Sequence, residues 1–300
     1  MLEKLLVLLF WISPCLALDL QGHRGARGLA PENTLPAFAA ALTLGVTTLE
    51  MDVGITRDGV VVVHHDLRLN PAIARGPDGR WIEAPGPAIH SLSFDELERY
   101  DVGRLRPGTE YAKAFPGQRP ADGTRIPRLA DVFALAAKSG NQEVRFNIET
   151  KLSPDAPDDT PPPEPFARAL IAEIRKAGMA RRSTIQSFDW RTLRVVQEEA
   201  PEIPTVYLTG ATMADEALER IRSAGGTIWS PSFRTLSPER LQRARALGLK
   251  VVVWTVNEPE AIARMLDAGV DGVISDRPDL VRTEMERRGL ARPVQTPVQP

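Results

Sequence analysis

Net charge, cysteine and long apolar runs are what this sequence has least of. Its 37 lysines and arginines stand against 39 aspartates and glutamates, a formal charge of −2. So weak a field draws neither nucleic acid nor an anionic membrane, which excludes both as main partners. The apolar run from Leu5 to Ile12 is far too short to span a bilayer, so stable membrane insertion is not expected. The single cysteine, Cys15, falls inside "MLEKLLVLLFWISPCLA". Lys4, the apolar run, Pro14 and small Ala17 give that segment the anatomy of a signal peptide. Cleavage after Ala17 would remove Cys15, leaving no disulfide and no thiol chemistry in the mature chain. Export to an oxidising compartment, such as a bacterial periplasm, is the expectation.

What is present is ordinary for a globular protein that can bury a core: 43% hydrophobic and 25% charged residues. After residue 17, short β-rich runs alternate with helix-patterned segments. Strands are expected at 18–22, 47–53, 144–150, 183–188, 204–208, 227–231, 250–256 and 271–276. Helices are expected at 33–44, 129–138, 165–177, 190–200, 213–224, 237–247, 258–268 and 278–288, with start signals such as Asn33 and Ser237–Pro238. Eight strand–helix pairs are the count of a (β/α)₈ (TIM) barrel, an α/β fold, whereas an open doubly wound sheet usually has fewer strands and a glycine-rich nucleotide turn. The domain organisation read from this is a leader (1–17), one barrel domain (18–290) and a flexible tail (291–300). One stretch breaks the alternation. Asp58–Gly59 turns the chain into the strand "VVVV", and an insertion of about 67–127 then separates strand 2 from helix 2. Only "SFDELERY" (93–100) within it looks helical. Because the insertion follows the C-terminal end of a barrel strand, it should lie over the active-site face.

The chemistry-bearing residues cluster at strand ends. In "LEMDV", residues two apart share a face, so Glu50 and Asp52 point one way and Met51 the other. Glu149, in "FNIETK", ends the next strand, and neighbouring parallel strands are about 5 Å apart. Three converging carboxylates, without a cysteine or paired-histidine set, describe a site for one hard divalent cation, Mg²⁺ or Ca²⁺. Lys151, two positions after Glu149, faces the same side and adds anion-binding charge. The chain has only four histidines. His23 ends the first strand beside Arg24; His64 and His65 follow the valine strand and face opposite ways, with Asp66 placed to orient one imidazole. Two histidines flanking a cation-held anion suit acid–base hydrolysis. His90 reads as a structural histidine.

The motifs "HRGARGLAPENTLPAF", "LEMDVGITRDGVVVVHHD", "FNIETK", "QSFD", "VVVWTVNE" and "GVISDRP" occur in one order from Gln21 to Pro278. In these the chain resembles the glycerophosphodiester phosphodiesterase family. The resemblance implies a metal-dependent barrel that cleaves a small-molecule glycerophosphodiester into glycerol 3-phosphate and an alcohol. It implies metal ligation by Glu50, Asp52 and Glu149, catalysis by His23 and His65, and phosphate contact by Arg24 and Lys151. Strand alternation also selects His65 over His64. Where the family more usually has leucine, Thr150 faces away from the site. Trp254 either covers the glycerol moiety or fills the barrel; Gln186 and Phe188 should line the pocket, Gln186 as a substrate contact. Asn33 either caps the first helix or orients the phosphate loop, whose glycines are expected to let the backbone approach phosphate. Alternatives are a lysophospholipase D- or sphingomyelinase D-like lipid phosphodiesterase, with the insertion as a lipid-facing lid, and a non-catalytic exported binding protein on the same barrel. The polar, Arg/Gly/Pro-rich insertion argues against the first, and the complete set of site residues against the second.

Overall fold

The structure, a computed structural model, describes residues 18–212 and 216–300. The expected leader, Cys15 included, lies outside the described residues, as do residues 213–215 of one expected helix. Strands form where β-branched and apolar residues alternate with polar ones: β1 (Asp19–Gly22), β2 (Thr48–Ile55), β3 (Val61–Val63), β4 (Arg145–Thr150), β5 (Ser183–Ser187), β6 (Thr205–Thr209), β7 (Ile228–Pro231), β8 (Lys250–Val253) and β9 (Gly272–Ser275). Eight of them are parallel and pair in the order β1–β2–β4–β5–β6–β7–β8–β9, and β9 returns to β1. This closed ring, wrapped by helices, is the expected (β/α)₈ barrel. β3 stands outside it as the antiparallel partner of the end of β2, with Val63 opposite Val53.

The surrounding helices are α1 (Leu35–Leu44), α2 (Phe94–Leu97), α3 (Glu110–Ala114), α4 (Leu129–Lys138), α5 (Pro163–Lys176), α6 (Trp190–Glu199), α7 (Ala217–Ser223), α8 (Pro238–Ala246), α9 (Pro259–Ala268) and α10 (Pro278–Arg287). Proline opens α5, α8, α9 and α10, where its missing N–H costs no helical bond. Ser237 caps α8 as expected, its hydroxyl accepting from the Arg240 amide at 3.2 Å. The cap of α1 is Thr34, which accepts from the Ala37 amide at 3.4 Å, and not Asn33.

Strand alternation divides the molecule into two interiors. Outward-facing Leu20, Leu49, Met51, Phe146, Ile148 and Trp229 are fully buried beneath the helices and form the apolar core. The lumen is polar on its β1–β5 side. Asp19 accepts from Gln21 Nε2 (2.9 Å), and Gln21 Oε1 accepts from Asn147 Nδ2 (2.9 Å). The same nitrogen donates to Gln186 Oε1 (2.9 Å), and Gln186 Nε2 donates to Glu50 Oε1 (2.6 Å). One hydrogen-bonded ladder thus runs from the barrel floor to the acidic residues at its mouth.

Residues 64–128 separate β3 from α4 and carry a small core of their own, with Leu69, Ile89, Leu97 and Ile126 packed on Val62. Ser93 and Glu96 form a capping box on α2, which is only four residues long. Helix α3 went unexpected: five residues after the Thr109 cap are too few to show a helical period. The last ten residues have neither helix nor strand, and hydrogen bonds tie them to the barrel at two points. The Thr296 amide donates to the Leu42 carbonyl (2.9 Å), and Arg282 donates to the Pro293 carbonyl (2.8 Å).

Asn147 is the central rung of the ladder, and Thr184 Oγ1 also donates to its carbonyl (2.8 Å). Asn147→Ala strips partners from several buried polar groups and should lower unfolding free energy by about 2–4 kcal/mol. Guanidinium titration measures this, and a loss below about 0.5 kcal/mol would show the ladder to be dispensable.

Candidate active site

Glu50 and Asp52 enter the barrel mouth from one face of β2, and β4 places Glu149 directly opposite Asp52. One oxygen from each of the three lies within 4.8 Å of the others, and all three residues are buried. Positive groups surround them. Lys151 Nζ is 2.7 Å from Glu149 Oε1 and 3.6 Å from Asp52 Oδ1. The Arg24 amide donates to Glu50 Oε2 (2.8 Å), and Arg24 Nε is 3.3 Å from Asp52 Oδ2. Burial and the neighbouring Asp52 push the Glu50 carboxyl well above its ordinary range, and Glu149 is raised chiefly by burial. Asp52, despite its burial, is held well below that range by His65, Lys151 and Arg24. Asp52 Oδ1 is buried without a hydrogen-bond partner. An all-oxygen set that is short of positive charge and keeps one oxygen unpartnered fits a divalent cation.

Arg24 and Asn33 are the described non-glycine residues with a left-handed backbone, at φ 50° and 54°. Such conformations persist only where the surroundings fix them. Asn33 is fixed by Asp52, to which Nδ2 donates (2.9 Å) and from whose amide Oδ1 accepts (3.3 Å). Of its two expected jobs, Asn33 therefore orients the loop.

Each histidine of interest is held through Nδ1 by its own aspartate. His23 Nδ1 is 2.6 Å from Asp276 Oδ1, and His65 Nδ1 is 2.7 Å from Asp66 Oδ1. A carboxylate can only accept, so Nδ1 carries the proton in both rings and Nε2 is left for the pocket. Burial lowers His23 to about 4 against the opposing pull of Asp276. Asp276, although buried, is held far below the carboxylate range by His23 and Arg27. His64 is buried and does not reach the pocket, as alternation requires, and His90 is structural, hydrogen-bonded to the Ile55 carbonyl (3.0 Å).

His23, Arg24, Arg27, His65 and Lys151 line one cavity of about 210 Å³ above Glu50 and Glu149. Phe188, Leu208, Trp254 and Ile274 supply its apolar wall. A sequence profile of the glycerophosphoryl diester phosphodiesterase family matches residues 23–280. The chain belongs to this family. A glycerophosphodiester phosphodiesterase of Bacillus subtilis is 31% identical over 272 residues, 86% of this chain and 83% of that protein. One from Caldanaerobacter subterraneus subsp. tengcongensis is 29% identical, over 89% of this chain and 97% of its own. Among solved structures, a protein of Silicibacter pomeroyi DSS-3 assigned as a glycerophosphoryl diester phosphodiesterase superposes with a TM-score of 0.87 at 37% identity, covering 92% of this chain and 95% of that one. An Oleispira antarctica phosphodiesterase in complex with the product sn-glycerol-3-phosphate shares the fold, with a TM-score of 0.70 at 21% identity over 90% of this chain and 97% of its own.

Within this phosphodiesterase site, two sequence expectations change and a third narrows. Gln186 lines the cavity, but its amide donates to Glu50 and accepts from Asn147, so both its polar atoms serve the protein. The loop glycines pack against the protein instead of opening a path to phosphate. A Cβ on Gly25 (φ +85°) would come within 2.7 Å of the Ala37 carbonyl carbon, and one on Gly28 within 2.7 Å of the Asp276 carbonyl oxygen. Trp254 lines the cavity, its ring edge-on to Phe188 at 5.4 Å, so it does more than fill the barrel. Asp276, Asn257, Arg27 and Glu32 were not singled out in the sequence. Asn257 Nδ2 donates to Asp276 Oδ2 (2.7 Å), and Arg27 Nε donates to Asp276 Oδ1 (2.8 Å). Their signal was proximity: all four lie inside motifs that carried the resemblance, within ten residues of an assigned position or a strand end.

Mg²⁺ or Ca²⁺ at about 100 times its Kd should stabilise the fold by about 2.7 kcal/mol. For a chain of this size that is a rise in Tm of roughly 4–5 °C. Asp52→Asn should abolish the rise in differential scanning calorimetry; an undiminished rise would place the ion elsewhere.

Proposed function

We propose that this glycerophosphodiester phosphodiesterase hydrolyses small, water-soluble glycerophosphodiesters to glycerol 3-phosphate and an alcohol, with a divalent cation and two-histidine acid–base catalysis. The observation that carries the reading is the pair of imidazoles, each with Nδ1 held by its own aspartate, lining one cavity over a buried triad of carboxylates. Glu50, Asp52 and Glu149 would hold Mg²⁺ or Ca²⁺. When bound, the cation supplies Lewis-acid stabilisation to the phosphoryl oxygens. Arg24 and Lys151 add fixed positive charge where negative charge grows in the transition state. His23 is neutral and has Nε2 available, which suits it as the base: Nε2 takes the proton of the attacking oxygen, either from water, which gives glycerol 3-phosphate directly, or from the substrate's own glycerol hydroxyl, in which case the cyclic phosphate so formed is opened by water in a second step to give glycerol 3-phosphate. As that oxygen bonds to phosphorus, the bond to the departing alcohol breaks. His65, held by Asp66 nearer solvent, returns a proton through Nε2 to that alkoxide.

A soluble substrate is favoured by what surrounds the mouth. The exposed large hydrophobics among the described residues are Phe188 and Val294, and Val294 belongs to the C-terminal tail, far from the pocket lining. Tyr111 and Phe115 of the insertion turn inward onto Arg27 and form no lipid-facing platform.

Release of sn-glycerol 3-phosphate from a panel that includes glycerophosphocholine and lysophosphatidylcholine tests the reading, with each ion and with chelator. Turnover of the first, lost with chelator, is expected; preference for lysophosphatidylcholine would sink the soluble-substrate reading. His23→Ala and His65→Ala should each lower kcat by about 10²–10⁴-fold while keeping the cation-induced rise in Tm. Near wild-type turnover in either variant would remove that histidine from the chemistry.

A further inference from the structure

The insertion reaches into the active-site loop through two aromatic side chains. Tyr111, on α3, donates its hydroxyl proton to Glu32 Oε2. Glu32 is buried, and its other oxygen accepts from Arg24 Nη1 at 2.7 Å. The same Tyr111 oxygen lies 3.5 Å from Arg24 Nη1 and 3.2 Å from Arg27 Nη1. Phe115 closes the arrangement from outside. Its ring centroid is 4.6 Å from the Arg27 guanidinium, and it meets the Tyr111 ring edge-on at 5.4 Å. Two further bonds tie this segment to the β1–α1 loop: Gln118 Nε2 donates to the Arg27 carbonyl (2.8 Å), and the Arg119 amide to the Leu29 carbonyl (2.9 Å).

Arg24 and Arg27 both need external restraint. Arg24 stands on a left-handed backbone with Asp52 3.3 Å from its Nε. Released from Glu32, its guanidinium would gain most by folding further onto the acidic triad, away from a substrate anion. Arg27 Nη2 donates to Asp276 Oδ2 (3.1 Å), so its orientation passes directly to the partner of His23. We infer that Tyr111 and Phe115 are positioning residues, through which the insertion holds Arg24 in reach of the substrate phosphate and keeps the Arg27–Asp276–His23 chain aligned. The inference rests on the reading of Arg24 as a phosphate contact. Burial and the adjacent Glu32 carboxylate push the Tyr111 phenol above its usual range, so its O–H remains a donor under assay conditions.

Three variants of the full chain, Tyr111→Phe, Phe115→Leu and Phe115→Tyr, test this in saturating Mg²⁺ or Ca²⁺. The readouts are calorimetric binding of sn-glycerol 3-phosphate, turnover of glycerophosphocholine, and Tm. Tyr111→Phe should weaken product binding and lower kcat/KM by about tenfold. Phe115→Leu should cost about threefold, and Phe115→Tyr, which keeps the ring face, should restore wild-type values. Tm should fall by less than about 5 °C, since one hydrogen bond to a buried carboxylate is lost at most and the apolar core is untouched. In an Arg24→Lys background, Tyr111→Phe should cost clearly less than it does in the wild type, because the Arg24 route is already removed and only the Arg27 route is left. Binding and turnover of Tyr111→Phe within about twofold of wild type, or full additivity with Arg24→Lys, would overturn the inference. Wild-type protein that binds glycerol 3-phosphate but cleaves no diester would sink the proposed function and leave the binding ratios to decide this point. Wild-type protein that binds none would count against both.

Discussion

Three buried carboxylates within 4.8 Å of one another at the mouth of the barrel are the constraint around which the surrounding structure is arranged. At an effective dielectric of about 20, each like-charged pair at that distance repels by about 3–4 kcal/mol. Burial adds a desolvation penalty for every charge kept. The fold meets this with Lys151 and the left-handed Arg24 on one side and the amides of Asn33 and Gln186 on another. Glu50 and Glu149 nevertheless remain pushed toward their neutral forms. The remaining deficit of positive charge fits the cluster to a divalent cation, and on the proposed reading a dication beside Arg24 and Lys151 would hold a phosphate diester.

From that centre the network extends in two directions. Downward, Gln186, Asn147 and Gln21 carry hydrogen bonds to Asp19 at the barrel floor, so the orientation of Glu50 is set through the lumen. Outward, Glu32, Arg27 and Asp276 link the β1–α1 loop to the insertion and to the end of β9. His23 lies where both chains meet: its Nε2 is 3.9 Å from Glu50, and its Nδ1 is bonded to Asp276. His23, the arginines around it and the carboxylate triad are thus parts of one electrostatic unit, and a change in any of them is felt by the others.

Much of this was readable from residue order because strands have a period of two and helices announce their starts. The alternation that sends Glu50 and Asp52 one way and Met51 the other is local stereochemistry, as is the separation of His64 from His65. Asp66 beside His65 needed only adjacency. Asp276, by contrast, is 253 residues from His23, and no local pattern pairs them. Helix α3 escaped notice because five residues cannot display a helical period, and with it Tyr111. The glycines of the first loop are points of close approach, but what they approach is α1 and the β9–α10 turn, not a path to phosphate.

By itself, then, the sequence determined the eight-fold strand–helix alternation, the faces on which Glu50, Asp52, Glu149 and Lys151 stand, and the opposite directions of His64 and His65, because each depends on spacing along a strand or just beyond its end. Tertiary structure alone decided which side chains restrain those groups. The second partners of His23, Arg24 and Glu50 come from β9, from an irregular insertion and from the interior of the barrel. Asp276 meets His23 only because closing the ring brings β9 against β1, a contact that no spacing along the chain encodes.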